Sequence, residues 1–353
     1  MSDEKHVSPR IEYFDALRVL ATLAVVVLHL SAQNWANVDI TSRAWFAFNL
    51  YDSAVRWSVP VFVMISGALF LGREISFRTI WKKNILRIAT AFVFWSAVYA
   101  LIDLLHYHAS PAVALRQFLT GHYHMWFLFM IVPLYLIVPL LQKFTCDRAL
   151  TRYFLLLSLV FTFFLPQLAA LLSFVLPGLS NVLNTILGYT YFDFVLGFTA
   201  YFVGGYYLSR REFTRYEELV IYLAGIIGFL FTVYATLSVS LAQNAPSVLF
   251  YSYQTLNVLV TSAAVFIFAK QHLNFPRMGE KARRILHALS KYSFGAYLCH
   301  AMLIELLNDL FGLNTLSCNA FFSVPLITLI VSAGAFLLSA ALHQLPVFKK
   351  YIV

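Results

Sequence analysis

Long uninterrupted apolar stretches dominate the chain, and short polar connections between them carry nearly all of its charge. Ten such stretches fall near residues 14–33, 55–71, 88–105, 125–142, 153–172, 190–208, 219–241, 253–269, 292–308 and 322–345. Most approach the roughly 20 residues that an α-helix needs to cross a hydrocarbon core of about 30 Å. They read as helices, because the strands of a membrane barrel alternate apolar and polar positions and these runs do not. The pattern predicts an all-α, polytopic transmembrane helix bundle of about ten spans. The fifth is the least regular: Pro166 and Pro177 interrupt it, and 171–188 is open to reading as a re-entrant or surface segment.

Composition agrees with that class. The 353 residues are 61% hydrophobic and 12% charged, against about 25% charged in a soluble domain. We expect one membrane-embedded domain over 1–353, without a soluble accessory domain, a Gly-rich phosphate loop or an internal repeat. The net charge of +9 first needs a topological explanation. Of the 25 Lys and Arg, 21 lie in the N-terminal tail, the C-terminus and every second connection. The intervening connections hold only Arg43, Arg56 and Arg116, and Arg18 lies within the first span. By the positive-inside rule both termini are expected in the cytoplasm, in a multi-pass protein of the inner (plasma) membrane. The basic excess then serves orientation and contact with anionic membrane lipids, not nucleic acid. No small-x-small cleavage site follows Leu30 cleanly, so the first span is expected to be retained. Cys146, Cys299 and Cys318 fall on different sides and depths, which argues against an intrachain disulfide.

The polar residues inside the apolar runs carry the candidate chemistry. Arg18 and His29 lie in the first span with ten residues between them. Eleven steps of about 100° bring the two to nearly one helix face, roughly 16 Å apart along the axis. Asp15, three residues before Arg18, is a candidate partner for its charge. An intramembrane cation usually has a partner or a task, since it costs about 2.5–3.5 kcal/mol on insertion scales. Toward the presumptive outer side lie Arg56, His106, His108, His122, His124, Asp193 and Glu305, with His300 mid-span. On the inner side a basic strip holds Lys82, Lys83 and Arg87, of which Lys83 and Arg87 share a face. This division suits two substrates: a phosphate-bearing one at the basic mouth, and a hydroxyl activated by the imidazole of His29 further out. Lipid contact for any single Lys, and a hydrogen-bonded packing role for His300, are the plainer readings. A zinc site at His106–His108 and His122–His124 is weakly supported, since no Cys or acid sits at ligand spacing, and no metal is expected. Ser66–Gly67 reads as close helix packing rather than as a nucleophile.

Asp15-Ala-Leu-Arg18 followed by His29 resembles the opening of the acyltransferase 3 family of integral-membrane acyltransferases. The resemblance continues through Arg56-Trp-Ser-Val-Pro60 to Ser66-Gly67, the basic stretch ending at Arg87-Ile88, His124-Met-Trp126-Phe127, and Ser293-Phe-Gly295-Ala-Tyr297-Leu-Cys-His300. Within the family the chain looks most like the short single-domain surface-polysaccharide O-acetyltransferases, of the type acting on enterobacterial common antigen. The resemblance implies transfer of an acyl group, usually acetyl from acetyl-CoA as co-substrate with no bound cofactor, to a hydroxyl of an envelope glycan or lipid-linked oligosaccharide. It implies essential roles for Arg18 and His29, and donor binding by Arg18, Lys83 and Arg87. The sequence departs from the family by placing Lys where Arg is common, and Ala89 and Thr90 where a proline often follows.

The expected mechanism has acyl-CoA phosphates against Lys83 and Arg87, with Arg283 or Arg284 nearby, and His29 as general base. Arg56, His124 and Trp126 are candidate oxyanion donors, and Asp193 or Glu305 a candidate orienting carboxylate for His29. A transporter or flippase for a lipid-linked polysaccharide is the rival class. The sugar, the acyl chain and the oligomeric state are not legible in the sequence.

Overall fold

The computed structural model describes residues 10–190, 192–274 and 278–353, and all regular structure among them is helical. Helix α1 spans Glu12–Gln33, α2 Arg43–Val55 and α3 Ser58–Leu71. Helix α4 runs over Phe77–Leu105 and contains a π-helical turn at Ile80–Ile85. A short α5 (Pro111–Thr120) leads through a turn to α6 (Trp126–Leu136) and α7 (Val138–Thr145). Then come α8 (Arg148–Leu172), α9 (Pro177–Thr190), α10 (Phe192–Arg210) and α11 (Arg215–Gln243). The chain ends with α12 (Leu256–His272), α13 (Glu280–Phe311), α14 (Ala320–Leu342) and α15 (Pro346–Tyr351).

Among the described residues, eight helical runs are long and apolar enough to cross a membrane, and two bent pairs raise the number to ten if each is one span. The first pair, Pro111–Leu136 with Val138–Thr145, bends by 56°. An unbroken fourth span over 125–142 is therefore not what forms. Pro139 has no N–H to give and its ring crowds the carbonyl four residues earlier, so the helix breaks at Ile137. Pro166 acts differently. The ladder widens into a π turn over Leu159–Phe164 just ahead of it, and α8 runs on to Leu172. Pro177 opens the separate helix α9, so 171–188 does not continue the fifth span. Helix α9 and Val195–Arg210 form the second pair, bent by 78°.

Close packing in lipid rests on small residues that let backbones approach. A Cβ added at Gly67 of α3 would strike the main chain of Phe202 in α10, and one at Gly205 of α10 would strike the main chain of Met64 in α3. Each helix thus seats its glycine on the other's backbone. In α11, Gly228 sits against the side chain of Val260 and the main chain of Asn257 in α12, and Gly225 against the side chain of Ala264. Helix α1 lies at the centre, packed by α2, α3, α12, α13 and α14, and its Leu17, Ala21 and Leu30 are fully buried.

The basic connections gather at one end. Arg10 donates to the carbonyl of His287 (3.3 Å), Arg283 pairs with Glu12, Gln142 donates to the carbonyl of Arg73 (2.6 Å), and Arg210 to that of Gly72 (3.0 Å). At the opposite, distal end, Asn34 meets Thr315 (2.9 Å) and His106 meets Asp309 (3.2 Å). The three cysteines are free: Cys146 and Cys318 are exposed and Cys299 is buried.

Candidate active site

A cavity of about 340 Å³ runs through the bundle, walled by α1, α3, α4, α6 and α13. Arg18, Arg73, Asn84 and Arg87 line it toward the basic end; His29, His124, Trp126 and Tyr253 line it further in. Apolar and aromatic side chains, among them Val25, Leu28, Phe62, Ile65 and Phe127, form the stretch between. Arg18 and His29 therefore open into one space from one helix, as the 3.6-residue period requires of positions eleven apart. No carboxylate is among the lining residues. Three guanidinium groups, those of Arg18, Arg73 and Arg87, therefore give the basic end of the cavity a positive lining.

Arg18 keeps its freedom because Asp15 is otherwise engaged. The buried carboxylate of Asp15 takes a two-pronged pair from Arg10 (2.5 and 3.0 Å) and a bond from Ser290 Oγ (2.5 Å). Arg18 stands at 3.8 Å from it, beyond hydrogen-bond range, and its side chain is 35% exposed, into the cavity. Asp15 thus does pair with Arg18, as its place three residues earlier suggested, but at 3.8 Å and shared with the closer Arg10. Arg87 donates to the main-chain oxygen of Val353 (2.8 Å) and lies over the ring of Phe294.

The cavity face of α4 is the stripe Asn84–Arg87–Ile88, and Lys83, one residue off that stripe, points to the exterior. The shared face expected for Lys83 and Arg87 therefore does not hold at the cavity wall. Arg283 and Arg284 are likewise elsewhere, paired with Glu12 and Glu280.

At the distal end, His29 Nδ1 lies 2.7 Å from His300 Nε2, with the ring planes within 19° of parallel and the rings meeting edge to edge, centroids 4.9 Å apart. His300 is fully buried, and its Nδ1 lies 2.5 Å from the carbonyl oxygen of Tyr297. No carboxylate orients His29 among the described residues. Glu305 instead meets His122 Nε2 at 3.0 Å, and the side chain of Asp193 lies outside the described residues. Glu305 therefore does not reach His29, whose Nδ1 meets a second imidazole instead.

His124 is 1% exposed and spends both ring nitrogens on the protein. Its Nε2 donates to the carbonyl of Leu298 (3.2 Å), so its Nδ1 accepts from His122 Nδ1 (3.1 Å). That leaves His122 Nε2 facing Glu305. His124 therefore has no N–H left for an oxyanion. Arg56 is also committed: it pairs with Asp52 (2.5 Å) and covers the ring of Tyr251 at 4.1 Å, and it does not reach the cavity wall. Of the three expected donors, Trp126 alone combines a place on the wall with an N–H that has no partner among the described residues. Its ring stacks on Tyr253 at 5.7 Å. The four imidazoles lie together as two hydrogen-bonded pairs, His29–His300 and His122–His124, with the rings of His124 and His300 5.0 Å apart; among the described residues no group of three or more His, Cys, Asp or Glu is arranged to hold a metal ion. Sequence reasoning missed Arg73, Asn84 and Tyr253, which stand in connections or beside residues that drew the attention, and no local spacing singles them out.

A family model described as an acyltransferase domain, Acyl_transf_3, matches residues 11–344. No curated protein and no solved structure matches this chain. The match spans nearly the whole described bundle, including every residue of the cavity wall, and the chain therefore belongs to the acyltransferase 3 family, as a multi-pass membrane acyltransferase.

Proposed function

We propose that the protein transfers an acetyl group from acetyl-CoA, bound from the cytoplasmic side, to a hydroxyl of an extracytoplasmic or lipid-linked envelope glycan. The observation that carries this reading is the single cavity with three arginines at one end and a histidine, His29, at the other. A donor with an anionic phosphate head and a long neutral arm matches that division. Its phosphates pair with Arg18, Arg73 and Arg87, Asn84 adds an amide, and the apolar middle receives the pantetheine arm. The thioester then lies near His29, about 16 Å along α1 from Arg18.

In the reaction His29 removes the proton from the acceptor hydroxyl while its oxygen attacks the thioester carbon. The tetrahedral oxyanion accepts the indole N–H of Trp126. Collapse breaks the carbon–sulfur bond, and the imidazolium returns its proton to the leaving thiolate, giving ester and free CoA. Termini in the cytoplasm and an inner-membrane address complete the proposal, since CoA thioesters are made in the cytoplasm and the basic end holds the donor mouth. The likeness in the sequence to surface-polysaccharide O-acetyltransferases, the enterobacterial common antigen type among them, favours a glycan acceptor.

The test is purified protein with radiolabelled acetyl-CoA and a lipid-linked oligosaccharide or surface glycan. Alkali-labile label in the glycan is the expected result. Movement of glycan across a proteoliposome membrane without label supports a flippase instead, and overturns the proposal.

A further inference from the structure

His29 is a useful base only if the lone pair of its ring is on the nitrogen left free for substrate. We infer that His300 is the positioning residue that secures this: it holds His29 as the tautomer with a bare Nε2, using the carbonyl of Tyr297 as the anchor. The inference rests on the acyl-transfer reading for its purpose, but its chemistry follows from three atoms in a row.

A backbone carbonyl can only accept, so His300 Nδ1, 2.5 Å from Tyr297 O, carries a proton. His300 is fully buried, no carboxylate is paired with it among the described residues, and a second proton would bury an unpaired cation. A neutral imidazole has one N–H, so His300 Nε2 is bare. At 2.7 Å from His29 Nδ1 it accepts, which places the proton of His29 on Nδ1. The lone pair of neutral His29 is then on Nε2, for which no protein partner exists among the described residues. The reverse arrangement would set the lone pair of His300 Nδ1 against that of Tyr297 O at 2.5 Å.

His300 does not wall the cavity, so it acts on the reaction only through His29. When His29 takes the proton of the acceptor, its Nδ1–H bond to His300 becomes charge-assisted and strengthens. A carboxylate serves that purpose in a Ser-His-Asp triad; here a neutral ring does so, without an added buried anion. The helix supplies the geometry, because Tyr297 and His300 are one turn apart on α13 and the bond between them closes within that turn.

The test uses the full-length protein in detergent or nanodiscs, with single-turnover acetyl transfer, donor affinity and thermal melting measured for the wild type, His300→Leu and His300→Gln. Leucine removes the acceptor; glutamine offers its side-chain oxygen near the place of Nε2. His300→Leu is expected to lose about 10²-fold or more in the transfer rate, by analogy with the loss from a wrong tautomer in a triad, with donor affinity unchanged. His300→Gln is expected to recover most of that loss. Wild-type rate in the leucine variant overturns the inference, as does a glutamine variant that melts like the wild type yet is as slow as leucine. Nitrogen NMR of histidine-labelled wild type gives a readout that needs no turnover: a bare Nε2 on neutral His29 supports the inference, and a protonated one overturns it. A wild type that shows this tautomer but transfers no acetyl group defeats the functional reading alone.

Discussion

At the residue scale, the site separates donor binding from chemistry, and substitutions should separate the two as well. Arg87→Ala removes a charge-assisted contact worth about 1.5–3 kcal/mol, so the donor KM should rise by about tenfold or more with the transfer rate at saturation little changed. Lys83→Ala, off the cavity stripe of α4, should leave both near wild type; a large rise in KM there would return Lys83 to the donor site. Trp126→Phe keeps the ring against Tyr253 but deletes the N–H, and should slow transfer by about 10²-fold at unchanged donor affinity, the usual cost of an oxyanion donor. An equal rate for Trp126→Phe would exclude the indole from that role. Arg18 and His29 were legible because one helix and one period relate them. The His29–His300 contact was not, because it joins positions 271 residues apart. Nothing in the spacing around His29 or His300 marks the two as partners, since each is a lone imidazole in its own apolar run.

At the scale of elements, hydropathy located nearly every apolar run, since each span must satisfy its own backbone in lipid. What it did not reveal is where the runs break. Pro139 stops a helix while Pro166 only widens one, and the difference lies in how the ladder ahead of each can rearrange. The Ser66–Gly67 reading was sound in kind, and the structure supplies its partner, the main chain of Phe202. Because the obstacle there is backbone, it cannot rotate aside. Gly67→Ala should destabilise by about 1–3 kcal/mol or more, seen as a lower melting temperature in detergent and reduced folded yield. Gly178→Ala, where an added Cβ meets nothing within 4 Å, is the matched control and should melt like the wild type or slightly above it. Equal melting of both variants would contradict the tight α3–α10 seam.

At the scale of the whole molecule, the alternation of charge between connections gave a topology, and the fold brings those same connections together at one end. The exposed thiols offer a direct reading of which end faces outward. If the basic end is cytoplasmic, a membrane-impermeant maleimide applied to intact cells should label Cys318 and leave Cys146 unmodified, while buried Cys299 reacts only after unfolding. Labelling of Cys146 from outside would invert the orientation and place the donor mouth on the wrong side for acetyl-CoA. The central claim is narrower than topology: a basic donor end and a histidine base share one cavity, so binding and chemistry can be lost independently. Its most direct measurement is the single-turnover rate of acetyl transfer by His29→Ala at saturating acetyl-CoA, with donor affinity recorded on the same preparation. The expected result is wild-type affinity with transfer reduced by at least about 10²-fold. Wild-type transfer by the alanine variant would contradict it.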